Sequence, residues 1–215
     1  MMQIRTSNEN AAEEFYRNAK REVESSKYSG EIAWQQSQCV SEISETDFLR
    51  ESAWVIINSG FRESVARKCF GHISLSFHDW RSAEEIASDA ETCISLALEG
   101  FSNVKKINAI GAVAQRVNGE GFDLVKSCTQ NDTIRYLMSF PYIGPTTAWH
   151  LAKNLGCDLA KPDRHLVRLA DRFGYRCVQE FCKFLSAVTQ DKVNVVDIVL
   201  WRYCASLAGT VSPAG

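Results

Sequence analysis

Residues 137–148 read Leu-Met-Ser-Phe-Pro-Tyr-Ile-Gly-Pro-Thr-Thr-Ala, an apolar helical end followed by a short turn and the start of a second helix. Pro141 ends the first helix because proline lacks an N–H group and clashes with the preceding turn. Gly144 permits a tight backbone where the second helix begins, and Pro145 suits the first turn of that helix. The N–H groups of the turn then point outward at the positive end of a helix dipole, which favours a bound phosphate. The segment predicts a helical hairpin that contacts phosphate, with Ile143 packed between its two helices.

A second informative segment, residues 161–169, reads Lys-Pro-Asp-Arg-His-Leu-Val-Arg-Leu. Asp163 precedes a helix expected over residues 164–173, which Gly174 closes. Aspartate is among the commonest N-caps, so capping alone explains this residue when the segment is taken by itself. Arg164 and its neighbouring arginines are either a solvated helix face or contacts to phosphate and to nearby acids.

Together the two segments resemble the superfamily of DNA glycosylases built on a helix–hairpin–helix and a Gly/Pro-rich loop followed by an aspartate (HhH-GPD). Phe140 to Gly144 stand where the family has Leu-Pro-Gly-Val-Gly, and Thr147-Ala148 match its Thr-Ala. The second segment matches in register at Asp163, His165, Arg168 and Leu169. Tyr142 departs from the pattern, since it replaces the first glycine of the family hairpin.

The resemblance implies an all-α, two-lobed helical fold with a groove between the lobes. We expect residues 1–215 to form a single such unit. One lobe covers about residues 45–130 with the hairpin at 131–156, and the other combines about 1–44 with 157–215. Elsewhere, apolar residues recur at helical spacing with almost no period-two alternation, which also favours helices.

The resemblance also implies a catalytic role for Asp163. Breaking the N-glycosidic bond of a damaged nucleotide builds positive charge on the sugar, and a fixed carboxylate stabilises that charge and helps an attacking water. Such enzymes flip the base out of duplex DNA before they act on it. We therefore expect a base-excision repair glycosylase for an oxidised or alkylated purine, whose partner is double-stranded DNA with a damaged base. The residues expected to contact DNA are Tyr142, Ile143, Gly144, Thr146, Thr147 and Arg164.

Family members that also cut the strand carry a lysine in the second hairpin helix, where this chain has Thr146. A water-dependent, monofunctional glycosylase is therefore the favoured interpretation. Lys153 and Lys161 keep a lyase alternative open, because a lysine near the sugar can form a Schiff base. A non-catalytic DNA-binding protein that uses the hairpin only for phosphate contacts is a further alternative.

The base pocket and the gap-filling wedge are assigned by the same resemblance. The loop after the second helix supplies the wedge in the family, and here it contains Asn58 and Ser59. Asp197 and Trp201 lie four apart on one late helix face, where relatives recognise and stack the base. A core Trp201 beside a surface Asp197 is the alternative. Trp34 and Gln36, in a segment expected to be irregular, are further pocket candidates.

Composition limits cofactors and location. The formal net charge of −2 is not typical of a DNA-binding protein as a whole. The eight cysteines are scattered, and too few follow Asp163 to hold the iron–sulfur cluster of some relatives, so we expect reduced thiols, no cluster and no other metal. A monovalent cation at the hairpin is the one ion that the chain is expected to bind. No signal peptide or membrane span is expected, which predicts a soluble, cytoplasmic monomer, associated with the nucleoid in a bacterium.

Overall fold

The computed structural model describes residues 5–207, and every regular element among them is helical. The all-α prediction is confirmed. The α-helices in chain order are α1 (Ser7–Glu24), α2 (Ser29–Ser37), α3 (Glu45–Asn58), α4 (Glu63–Ser76), α5 (Ala83–Ser88), α6 (Ala90–Gly100), α7 (Val104–Glu120), α8 (Phe122–Asn131), α9 (Thr133–Leu137), α10 (Pro145–Asn154), α11 (Arg164–Arg172), α12 (Val178–Thr189) and α13 (Val193–Arg202). None of the described helices is long and apolar enough to cross a membrane.

The chain forms two compact units. Of the described residues, unit 1 contains 5–38 and 156–207, and unit 2 contains 39–155. The hairpin segment thus belongs to unit 2, whereas Asp163 belongs to unit 1.

Unit 1 is held together by α1, α12 and α13. Its core contains Tyr16 from α1 and Phe181 from α12, both fully buried, because the apolar residues of each helix recur on one face. The Tyr16 hydroxyl donates to Asp191 Oδ2 at 2.7 Å, so this buried polar group is satisfied. Thr6 and Glu9 form a capping box that fixes where α1 begins.

Unit 2 is built around α3, which packs against α4, α7 and α10. Ser44 and Asp47 form a capping box at the start of α3. Phe48 of the same helix is fully buried, and its ring lies 5.5 Å from that of Phe140, the residue before Pro141. The first half of the hairpin is thereby anchored on the core of unit 2.

Two expectations about local structure are wrong. Trp34 and Gln36 lie within helix α2 and not in an irregular segment. The apolar spacing of residues 82–98 predicts one helix. The chain is instead interrupted at Asp89, which leaves helical geometry at φ −118° and ψ 27° and separates α5 from α6. Aspartate has a low helix propensity, which makes such a break inexpensive at this position.

Candidate active site

The hairpin turn is tight because Tyr142, and not Gly144, adopts a left-handed backbone. Tyr142 has φ 65°, whereas Gly144 is extended at φ −88° and ψ −177°. The second helix begins after Gly144 as expected, with Gly144 as its N-cap, but the positive φ of the turn lies two residues earlier, at Tyr142. A left-handed backbone costs a non-glycine residue about 1–2 kcal/mol. The conformation of Tyr142 in this turn therefore lowers the stability of the folded protein.

No protein atom fills the space where a side chain at Gly144 would lie. A Cβ atom at this position would meet no atom within 4 Å. A glycine that neither the backbone angles nor the packing requires leaves room for another molecule to approach the main chain. Gly144 therefore marks an open edge of the hairpin.

The start of α10 presents open backbone donors. Pro145 occupies the first turn, and no side chain caps this end of the helix. Among the described residues, no protein group accepts from the N–H groups of Gly144, Thr146 and Thr147. Uncapped N–H groups at the positive end of a helix are suited to bind an anion such as a phosphate.

Ile143 supports the hairpin from inside. Its side chain is buried and its N–H group donates to Phe140 O at 3.2 Å. The predicted packing of Ile143 between the helices is confirmed by this burial. Its side chain and its N–H group are thus used within the hairpin, and a contact of Ile143 with DNA stays a prediction.

The loop that follows α3 lies against the hairpin through a residue that the sequence analysis missed. Lys106 of α7 donates its ammonium to Ile56 O at 2.6 Å and to Ile57 O at 2.8 Å, and it also donates to Ser59 O. The same ammonium lies 5.5 Å from the centre of the Tyr142 ring. The sequence signal for this residue was a lysine on the apolar face of an amphipathic helix. Such a lysine is rarely buried unless other groups compensate its charge.

Asp163 is the N-cap of α11. Its Oδ1 accepts from His165 N at 2.8 Å and from Leu166 N at 3.0 Å. The side chain is half-buried, and within the described part of the chain no Lys, Arg or His forms an ion pair with it. Since both bonds use one oxygen, Oδ2 keeps its capacity to accept a further hydrogen bond or to face a positive charge.

Asp197 supports the segment that leads to Asp163. It is 2% exposed, and its Oδ2 accepts from Lys161 N at 2.7 Å. The alternative of a surface Asp197 is therefore wrong. A buried carboxylate that holds the main chain two residues before Asp163 restricts where α11 begins, so Asp197 positions the candidate catalytic acid.

The aromatic candidates of unit 1 differ in exposure. Trp201 is partly buried and packs against the core of its unit, with the Arg202 guanidinium 4.5 Å from its ring centre. Trp34 is 38% exposed on α2, and Gln36 is exposed on the same helix. Trp34 and Gln36 therefore have surface to offer a ligand, whereas part of the Trp201 surface is already used.

The basic candidates are not equivalent. Lys153 of α10 is only 6% exposed, so little of its side chain reaches solvent. Lys161 is half-buried, and Arg164 is exposed on the first turn of α11. Arg176, which follows α11 in the chain, forms an ion pair with Glu180.

One group of side chains among the described residues has the geometry of a metal site. The ligand atoms of His78, Asp89 and Cys93 lie within 4.8 Å of one another in unit 2. Burial and the neighbouring Asp89 carboxylate raise the pKa of the Cys93 thiol, which disfavours the thiolate that a metal needs. His78 and Asp89 already form an ion pair at 3.4 Å.

Comparisons with known proteins agree with the helical architecture. No protein-family model and no curated protein matches this sequence. Among solved structures, the 8-oxoguanine DNA glycosylase of Thermotoga maritima matches with a TM-score of 0.60 at 20% identity, covering 91% of this chain and 97% of that one. The 8-oxoguanine glycosylase/lyase of Methanocaldococcus jannaschii, in complex with DNA containing 8-oxoguanine, matches with a TM-score of 0.59 at 19% identity, over 91% of this chain and 98% of that one. A second structure of the M. jannaschii 8-oxoguanine DNA glycosylase matches with a TM-score of 0.61 at 17% identity, over 93% of this chain and 98% of that one.

Proposed function

We propose that this chain, which has the fold of the 8-oxoguanine DNA glycosylases, is itself a base-excision repair enzyme that hydrolyses the N-glycosidic bond of a damaged purine in duplex DNA. The observation that carries the proposal is the state of Asp163. Its carboxylate is fixed by two backbone N–H groups, has one oxygen free and forms no ion pair with the described residues. The resemblance of residues 161–169 to the HhH-GPD family supports the proposal, because it implies that Asp163 corresponds to the catalytic aspartate of that family.

The hairpin of unit 2 binds DNA in this proposal. The open N–H groups at the start of α10 donate to a backbone phosphate, which positions the strand without reading its sequence. Tyr142, Thr146 and Thr147 are the hairpin side chains proposed to contact the strand, and Arg164 is the proposed contact from unit 1. A monovalent cation held by hairpin carbonyls remains part of the proposal.

The chemistry follows from the charge of Asp163. As the bond between the base and C1′ breaks, positive charge develops on the sugar, and the carboxylate stabilises it. The base leaves with the electron pair of the broken bond, a water molecule forms the new bond to C1′, and the proton that the water loses balances the one that the base gains from solvent. The products are the neutral free base and an abasic site. No lysine of this chain is required for hydrolysis, and we propose that the enzyme is monofunctional.

The proposed substrate is an oxidised or alkylated purine, and 8-oxoguanine is the first lesion to test because the neighbouring structures are named for it. We propose that Asn58 and Ser59 fill the gap that the flipped base leaves. Trp34, Gln36, Asp197 and Trp201 are proposed to surround the base or to support the groups that do.

The direct test is incubation of the purified protein with duplexes that contain 8-oxoguanine, hypoxanthine, 3-methyladenine or uracil. Hot-alkali cleavage then reports abasic sites. We expect sites with at least one purine lesion and none with the undamaged duplex. Binding of DNA without any excision would favour the alternative of a non-catalytic hairpin protein.

The hairpin contact predicts the effect of Gly144→Ala. Because a Cβ atom here meets no protein atom, we expect the melting temperature to stay unchanged. The added methyl group occupies the space that a phosphate needs, so DNA affinity is expected to fall about 10-fold or more, which corresponds to the lower end of what one hydrogen bond to a charged group contributes. Fluorescence anisotropy with DNA that carries an abasic-site analogue measures the affinity.

Gly119→Ala is the matched control, because a Cβ atom at this position of α7 also meets no protein atom within 4 Å. Equal affinity for the Gly144 variant and wild type would exclude close approach of DNA at this turn.

A further inference from the structure

Lys106 is a buried lysine whose charge is compensated by main-chain groups. The side chain is 2% exposed, and among residues 5–207 no Asp or Glu forms an ion pair with it. Its three N–H groups instead reach the carbonyls of Ile56, Ile57 and Ser59. An ammonium has three donors, so all of its hydrogen-bonding capacity is used.

The accepting carbonyls belong to the last turn of α3 and to the residue that follows it. The carbonyls of a final helical turn have no intrahelical donor and lie at the negative end of the helix dipole. Lys106 therefore caps α3 from a different helix. Because Ser59 is held by the same ammonium, the cap also determines the path on which the chain leaves α3.

Two exposed aromatic rings face the same ammonium. The centre of the Phe61 ring lies 4.6 Å from the Lys106 nitrogen, and that of the Tyr142 ring lies 5.5 Å away. Both distances fall in the range of a cation–π contact. Phe61 is 42% exposed and Tyr142 is 43% exposed, so each ring keeps a large free surface although it contacts a buried charge.

We propose that Lys106 is a positioning residue, which joins the loop 58–62 to the hairpin tip so that Phe61 and Tyr142 together present an aromatic edge to opened DNA. This inference rests on the proposed glycosylase function and adds to it a residue that determines how the duplex is opened. Exposed aromatic rings stack on unpaired bases, and a wedge must be held rigidly to unstack a base pair.

A role of Lys106 as a nucleophile is the competing interpretation. Burial lowers the pKa of Lys106 to about 8, with a small opposing effect of Cys69, and a lowered pKa is typical of lysines that form Schiff bases. The geometry argues against it, because a nitrogen with all three N–H groups donated and a side chain 2% exposed cannot reach a sugar.

The test compares two substrates that differ only in how far the lesion is already open. One is a fully paired duplex with the lesion that wild type excises, and the other carries the same lesion in a single-nucleotide bulge. We expect Lys106→Met to slow single-turnover excision from the paired duplex about 10-fold more than from the bulge, since lost support for the wedge raises only the cost of flipping. Lys105→Met is the matched control, because it removes the same charge from an exposed neighbour on α7. Its ratio of the two rates should equal that of wild type.

Each other outcome overturns the inference. An equal loss on both substrates means that Lys106 is merely structural, and an equal change in the Lys105 variant means that only long-range charge matters. If wild type excises the lesion from neither substrate, the proposed function fails and the inference fails with it.

Should Lys106→Met not fold, Phe61→Ala and Tyr142→Ala replace it. The factor by which the double variant slows excision from the paired duplex should be smaller than the product of the factors for the two single variants, because both rings act through one contact. Independent effects would contradict the joint edge.

Discussion

Asp163→Asn is expected to reduce excision of the damaged base by at least about 100-fold, the lower end of what a positioned acid or base contributes. The substitution removes the charge that would stabilise the sugar in the transition state. Asparagine caps a helix as well as aspartate, so the bonds from His165 N and Leu166 N can persist and α11 should keep its start. Single-turnover kinetics and a thermal melt, made on the same preparation, separate the two effects.

Asp158→Asn is the matched control for this prediction. Asp158 is an exposed carboxylate of the same unit that also accepts from a main-chain N–H group, that of Asn194 at 3.3 Å. Its substitution should leave the excision rate within about 2-fold of wild type, as expected for a surface change away from the reaction. DNA affinity of the Asp163 variant should be retained. If the Asp163 variant excises at the wild-type rate, the carboxylate is only a cap and the proposed chemistry is wrong.

Borohydride trapping on abasic-site DNA is expected to give no adduct with the wild-type protein and a strong adduct with Thr146→Lys. Thr146 is exposed on the first turn of α10, at the position where lyase-active relatives carry their lysine. The positive end of the helix dipole disfavours the charged ammonium, so a lysine there should have a lowered pKa and react more readily with the sugar aldehyde. The expected change is from background to a large fraction of the DNA, visible on a denaturing gel.

Thr147→Lys provides the control, because it adds the same charge about 100° further around the helix. It should bind DNA as Thr146→Lys does and give little adduct. An adduct with the wild-type protein would contradict the monofunctional proposal. If the adduct were then lost in Lys161→Met and kept in Lys153→Met, the reacting lysine would be Lys161. Lys153 is only 6% exposed, which makes it the less accessible of the two.

The helices around the hairpin and the N-cap at Asp163 were predictable from the sequence because each depends on residues only a few positions apart. Pro141 and Pro145 act on their own turns, and Asp163 bonds to the second and third residues after it. Local rules of this kind depend mainly on neighbouring residues and only weakly on the rest of the chain. No local pattern predicted the left-handed backbone of the turn, which lies at Tyr142, because a tyrosine seldom adopts that conformation.

Tertiary structure alone decided what supports these elements. Lys106 bonds to a carbonyl 50 residues away, and Asp197 holds the main chain of a residue 36 positions earlier. Neither residue has a local motif, because a buried charge is compensated by whatever donors and acceptors the packing brings to it. The amino-acid order therefore determined where helices begin and end, whereas the burial of Lys106 and Asp197 depends on how those helices pack.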